Sequence, residues 1–239
     1  MVELANKVAI VTGATSGIGA AVARILDQAG MQLVLTGRRY DRLEQLTREL
    51  KQAVFLSGDI TEPELPQKLL NLSLQTYGRC DVAFNNAGVQ AVGTVETIEI
   101  EAVCQMVQVN VEAAFRFAYV VLKHFQSIND GHLINTSSVL GTKVRIAAGA
   151  HAGTKYAIEA FSEALRMELA NTRVRISCIE PGLVKTELHD YWEIHPTESL
   201  NVPQPLQPED IARYVRFILE QPPHIRIPKL MVLPESHIV

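Results

Sequence analysis

The chain has 239 residues, 47% hydrophobic and 20% charged, which is the composition of one globular domain with a large core and excludes a disordered or fibrous protein. Acidic residues outnumber basic ones by 26 to 22, giving a net charge of −4; with no positive excess to hold a polyanion, no nucleic-acid partner is expected. Cys80, Cys104 and Cys178 lie far apart without a CxxC pair, so no disulfide framework and no metal site is expected, and all three read as small buried hydrophobes. There is no basic stretch leading into an apolar leader, and no run approaches the roughly 18 apolar residues of a membrane span, so a soluble cytoplasmic protein is expected.

Short β-branched runs alternate with longer segments of helical period. Strands are predicted at Val8 to Val11, Gln32 to Leu35, Ala53 to Leu56, Val82 to Phe84, Gly131 to Asn135, Arg175 to Ile179 and Leu230 to Leu233. Helices are predicted at Gly17 to Ala29, Asp41 to Leu50, Pro63 to Tyr77, Glu101 to Phe125, Gly149 to Ala170 and Pro208 to Glu220, with Gly30 at a C-cap and Pro208-Glu209-Asp210 as a helix start. The pattern is that of βαβ units in an α/β fold: a single-domain, Rossmann-like, doubly wound parallel sheet of about seven strands with helices on both faces. No repeat or linker divides residues 1 to 239. The irregular stretch from Lys185 to Leu206, with His189, Tyr191, Trp192 and His195, reads as a lid.

Directly after the first strand stands Thr12-Gly13-Ala14-Thr15-Ser16-Gly17-Ile18-Gly19, opening into a helical pattern. Glycines there let the backbone turn tightly and approach a pyrophosphate, whose charge meets the unpaired N–H groups of the helix start. At the end of the second strand, Gly37-Arg38-Arg39 stands where an acid would accept the ribose hydroxyls of NAD. A basic pair there suits the 2′-phosphate of NADP, with Arg38 expected to stack on adenine and fork onto the phosphate.

The TGxxxGIG spacing resembles the short-chain dehydrogenase/reductase family, and the likeness runs on through Asp59, Asn85-Asn86-Ala87-Gly88, Asn110, Ser138, Lys155 and Pro181-Gly182 with Thr186. The resemblance implies NADP(H) held by Gly13, Thr15, Ser16, Gly17, Ile18, Gly19, Arg38, Arg39, Asp59, Asn86, Ala87, Gly88, Lys155, Pro181, Gly182 and Thr186. It implies a catalytic set of Ser138, Asn110, Lys155 and the residue thirteen positions after Ser138. In the family that residue is a tyrosine whose hydroxyl exchanges a proton with the substrate oxygen while hydride moves at nicotinamide C4. Here it is His151.

The i, i+4 spacing keeps His151 and Lys155 on one helix face, whereas Tyr156 points about 100° away and does not replace the missing phenol. A cation beside it is expected to hold the imidazole mostly neutral near pH 7, with water, Lys155 and Asn110 completing a proton relay. Three readings of His151 stand side by side: an introduced substitution, a natural variant with altered chemistry, and the mark of a non-catalytic descendant.

The resemblance therefore implies an NADPH-dependent carbonyl reductase, working in reverse as an alcohol dehydrogenase on a small carbonyl or alcohol and weakened or retuned by His151. The alternative is an NADP(H)-binding regulator or redox sensor without turnover. The stretches from Ile179 to Leu188 and from Pro208 to Pro234 resemble NADP-dependent reductases of clavulanate aldehyde and small hydroxy acids within that family. Family relatives pair through the helices from Glu101 to Phe125 and after Lys155, both apolar on more than one face, which implies a homodimer or homotetramer. Substrate choice is expected to rest on Val89 to Val92, Val139 to Ile146 and the lid. Val144, Ile146, Tyr191 and Trp192 form the expected apolar wall, with Arg145 expected to face solvent or, alternatively, to meet a carboxylate.

Overall fold

The computed structural model describes residues 2–190 and 196–237. Seven parallel strands, β1 Val8–Thr12, β2 Gln32–Gly37, β3 Ala53–Ser57, β4 Val82–Asn85, β5 His132–Thr136, β6 Arg175–Pro181 and β7 Lys229–Val232, form one sheet in the order β3-β2-β1-β4-β5-β6-β7. The order reverses between β1 and β4, so their carboxyl ends open the crevice where such sheets bind ligands.

Successive strand residues point to opposite faces, and both faces are covered, which explains the nearly continuous apolar runs. Ala9, Val11, Leu33, Leu35 and Phe84 pack against α1 (Gly17–Gln28), α2 (Tyr40–Glu49) and α8 (Pro208–Leu219). Ile10, Val34, Ala83 and Leu133 pack against α3 (Leu65–Tyr77), α5 (Ala114–Ile128) and α6 (Gly149–Glu168). Local chemistry marks the ends. Gly30 follows α1 at a φ of 80°, as the C-cap expectation required, and α8 starts on a capping box between Gln207 and Asp210 with Pro208 in its first turn.

Three departures from the sequence reading have physical causes. The single helix expected from Glu101 to Phe125 is α4 (Ile100–Val107) and α5 joined by a π-helical segment, Gln108–Ala113, an irregularity that leaves the apolar periodicity intact and so is invisible in it. Cys80 and Cys178 are buried, but Cys104 lies on the outer side of α4 and is exposed, correcting the expectation for that cysteine. The stretch expected to be a lid carries a 3-10 turn, Glu187–His189, and a short helix α7, Pro196–Ser199. Its ends are pinned together where Lys185 N–H donates to Leu206 O at 2.8 Å and Leu206 N–H to Leu183 O at 3.0 Å. Tyr191, Trp192 and His195 lie outside the described residues. Among the described residues no helix is long and apolar enough to cross a membrane.

Behind the crevice a buried polar chain joins the two halves of the sheet to the helices. Asn85 Nδ2 donates to Ala114 O and Asn135 Oδ1, Asn135 Nδ2 donates to Ser162 Oγ at 2.9 Å, and Ser162 Oγ donates to Ile158 O. Asn135 is 1% exposed, so truncating it leaves buried groups without partners that water does not replace. Asn135→Ala is expected to cost about 2 kcal/mol, read as a lower urea midpoint at unchanged slope.

Candidate active site

The turn after β1 is stitched to the turn after β4. Thr12 Oγ1 accepts from Asn86 N–H at 2.8 Å and Ala87 N–H at 3.0 Å, and Asn86 Nδ2 donates to Thr12 O at 3.1 Å. Thr136 on β5 donates to Asn86 Oδ1, so three strand ends share one network. Gly13 sits at a φ of 67°, with Ala87 Cα only 3.0 Å from where a Cβ would lie, and a Cβ on Gly19 would fall 2.2 Å from Gly13 O. These glycines are therefore dictated by close backbone approach. Ser16 precedes α1 as its N-cap without capping it through its side chain, and the first turn carries no acid. Its N–H groups remain for an anion.

Arg39 rather than Arg38 leans over this turn. Its Nη2 donates to Ser16 Oγ at 2.7 Å and Thr15 Oγ1 at 3.0 Å, and its Nη1 to Glu187 Oε2 at 2.6 Å; Arg42 pairs with the other Glu187 oxygen. Arg38 is exposed and reaches the site as a nearby charge on Asp59. Asp59 Oδ1 accepts from the Thr61 N–H and hydroxyl; the backbone bond leads in holding its carboxyl below the usual range, against the opposing cost of burial. Thr186 meets the turn from above, its Cγ2 3.1 Å from a Cβ built on Gly17, and Gly182 N–H donates to Val232 O. Beyond Gly37, Thr15 Cγ2 stands 2.6 Å from where a Cβ would lie, so an acidic side chain there would push Thr15 out of place.

The remaining site residues gather at the ends of β5 and α6. Ser138 follows β5 in extended conformation, half-buried, and its Oγ accepts from Leu140 N–H at 3.1 Å. Lys155 Nζ donates to Thr136 O at 2.9 Å. Burial lowers its pKa to about 8, partly offset by Cys178 and Glu159. His151, 6% exposed, has a buried Nδ1 without a partner. Its pKa falls to about 3, chiefly through burial and then through the charges of Lys155, Arg145 and His189. The neutral imidazole expected from the sequence is thus present, with desolvation rather than the neighbouring cation as the larger cause. Asn110 uses both ends of its amide on the Val89 backbone, accepting from its N–H at 2.9 Å and donating to its O at 2.8 Å, and holds the Asn86-Ala87-Gly88 turn against the π segment. It makes no hydrogen bond to Lys155 among the described residues, so a direct Asn110–Lys155 link in the relay is not formed.

The substrate side differs from expectation. Val144 and Ile146 are 75% and 90% exposed and stand on the rim, not in a wall. The apolar cluster next to Ser138 in the chain is buried and is made by Val139, Leu140, Ala148 and Ala152 with Val92 and Leu233 packed against them. Arg145 does not face solvent. It is half-buried, and its charge bears on both His151 and His237. His237 accepts the Leu183 N–H at its Nδ1, bringing the C-terminal tail onto the Gly182 turn; no motif around it marks this. Behind Lys155, one turn further along α6, buried Glu159 pairs with Lys229 at 3.0 Å, beside buried Glu180, whose pKa is raised by burial and then by Glu159. Neither carboxylate stands out in the sequence, because both lie inside ordinary helix and strand patterns.

The family model described as short chain dehydrogenase matches residues 7–196. The chain belongs to that family. An uncharacterized oxidoreductase of Staphylococcus aureus is 32% identical over 236 residues, covering 98% of this chain and all of the relative. An alcohol dehydrogenase of Thermococcus sibiricus, solved with 5-hydroxy-NADP, superposes at a TM-score of 0.87 with 28% identity and 98% of each chain covered. A serine dehydrogenase in its closed form with NADP+ gives 0.85 at 28% identity over 94% of each chain. This short-chain dehydrogenase thus carries the oxidoreductase fold, and its glycine cradle, Arg39 and the free N–H groups of α1 fit a dinucleotide.

Proposed function

We propose that this short-chain dehydrogenase is an NADP(H)-dependent carbonyl reductase that also oxidises the corresponding alcohol. The observation that carries the reading is the placement on one helix face of Lys155, a half-buried ammonium with a pKa of about 8, and one turn earlier a neutral His151 whose buried Nδ1 has no partner. A general acid works best when its pKa lies near the operating pH, which Lys155 satisfies and His151 does not. When bound, the nicotinamide supplies or accepts hydride. Gly13, Gly19, Ser16 and Arg39 form the anion cradle, and the solved relatives that hold NADP support that cofactor.

Ser138 Oγ and one N–H of His151 hold the substrate oxygen. As the carbonyl carbon gains hydride, His151 gives that proton to the oxygen while its other nitrogen takes one that passes from the Lys155 ammonium through an intervening water. The products are an alcohol, a neutral lysine and a neutral imidazole of the opposite tautomer. Phe115 and Phe161 stack at 3.9 Å with Tyr119 edge-on, an aromatic strip across α5 and α6 that suits pairing of two copies.

The test is NADPH oxidation with a panel of aldehydes and ketones beside NADPH binding by calorimetry. Turnover of at least one carbonyl, faster with NADPH than NADH and falling as pH rises through about 8, is expected. Binding without turnover of any carbonyl would leave the regulator reading instead.

A further inference from the structure

We propose that Glu187 is a built-in competitor for the cofactor's 2′-phosphate: a positioning residue that holds Arg39 and Arg42 beside the glycine turn and yields them to a phosphomonoester, thereby setting the preference between phosphorylated and unphosphorylated adenine nucleotides. The inference rests on the NADP(H) reading above.

Glu187 lies 148 residues from Arg39 in the chain, yet its two carboxylate oxygens are divided between Arg39 and Arg42. The same Arg39 guanidinium also donates to Ser16 and Thr15, so the groups facing the mouth of the turn are the groups Glu187 occupies. The contact is anchored from both sides, by α2 beneath Arg42 and by the packing of Thr186 on Gly17. Arg39 and Arg42 hold the Glu187 carboxyl below its usual range, so it stays charged at neutral pH. All three side chains are between 41% and 45% exposed, leaving the cluster open to an incoming ligand.

Two guanidinium groups and one carboxylate leave a single positive charge at this mouth. A 2′-phosphate carries a charge of about −2 and three acceptor oxygens, enough to engage both forks at once and displace the carboxylate. A 2′-hydroxyl has neither the charge nor the acceptors, so with an unphosphorylated nucleotide the Glu187 contacts remain. Displacing Glu187 therefore weakens the binding of phosphorylated nucleotides alone.

The experiment is titration calorimetry of the full chain with 2′,5′-ADP and with 5′-AMP, for the natural sequence and Glu187→Gln. Expected is about fivefold tighter 2′,5′-ADP in Glu187→Gln with 5′-AMP changed by less than about twofold, the unchanged 5′-AMP affinity showing an intact pocket. The gain is expected to vanish in an Arg39→Gln background, which a purely structural role of Glu187 would not produce. Unchanged or weaker 2′,5′-ADP binding in Glu187→Gln, or equal loss of both ligands, would overturn the inference. If the natural sequence binds 2′,5′-ADP no more tightly than 5′-AMP, the NADP(H) reading itself fails; a clear preference unmoved by Glu187→Gln defeats the competitor role alone.

Discussion

Replacing His151 with tyrosine is expected to raise kcat/KM for NADPH-driven carbonyl reduction by about 100-fold. With a pKa of about 3, the imidazole of His151 is protonated in roughly one molecule in 10,000 at pH 7, so it acts at best as a conduit for a proton held elsewhere. A phenol carries its own proton at that pH and needs no second transfer. The placement favours the exchange: position 151 shares a helix face with Lys155, and Ser138 follows the neighbouring strand end. The comparison of kcat/KM for His151, His151→Tyr and His151→Phe over one carbonyl panel checks this. A relay predicts the order Tyr above His above Phe. Equal rates for His and Phe would mean that the imidazole moves no proton, and a Tyr variant no faster than His would mean that proton supply does not limit the reaction.

Much of this arrangement is legible in the sequence because it is local. The glycine turn, the seven strand runs and the i, i+4 pair of His151 and Lys155 each depend on residues a few positions apart, where backbone geometry and periodicity are informative. The rest depends on contacts that spacing does not encode. Whether Arg38 or Arg39 leans over Ser16 depends on how the chain leaves β2, and the partner that engages Arg39, Glu187, lies beyond four intervening strands. The π segment exists beside a two-way bond from Asn110 to Val89, 21 residues away, while the apolar positions around it keep an ordinary helical rhythm. Arg145 reads as a surface residue because its neighbours in the chain, Val144 and Ile146, are on the rim; only the approach of His151 and of His237 from the C-terminal tail makes it part of the site.

Stability is expected to fall between about pH 6.5 and pH 5, before most carboxylates titrate, with His151 alone accounting for about 2 kcal/mol and His132 adding to the loss in the same direction. His151 titrates near 6.5 when unfolded and near 3 when folded. A folded pKa that lies lower means that the unfolded chain binds more protons in that interval, so the stability present above 6.5 is lost as pH falls. His132 shifts in the same direction, chiefly through burial and then through Arg175, Arg226 and Lys7. Its hydrogen bonds give an independent reason. Ser177 spends its only hydrogen on Ile227 O at 2.6 Å, so the 2.9 Å contact with His132 Nε2 needs the hydrogen on that nitrogen, and the other, Nδ1, is buried without a partner. A second proton would create a cation with an unmet donor inside the core. Against a total of about 5 to 15 kcal/mol for a domain, the combined loss is a large fraction. Urea midpoints at about pH 7.5 and pH 5 measure it, and His151→Tyr and His132→Gln are each expected to shrink the difference between the two conditions. A difference that survives both substitutions would assign acid sensitivity to the carboxylates, and would mean that the buried imidazoles gain protons in the folded chain as readily as in the unfolded one.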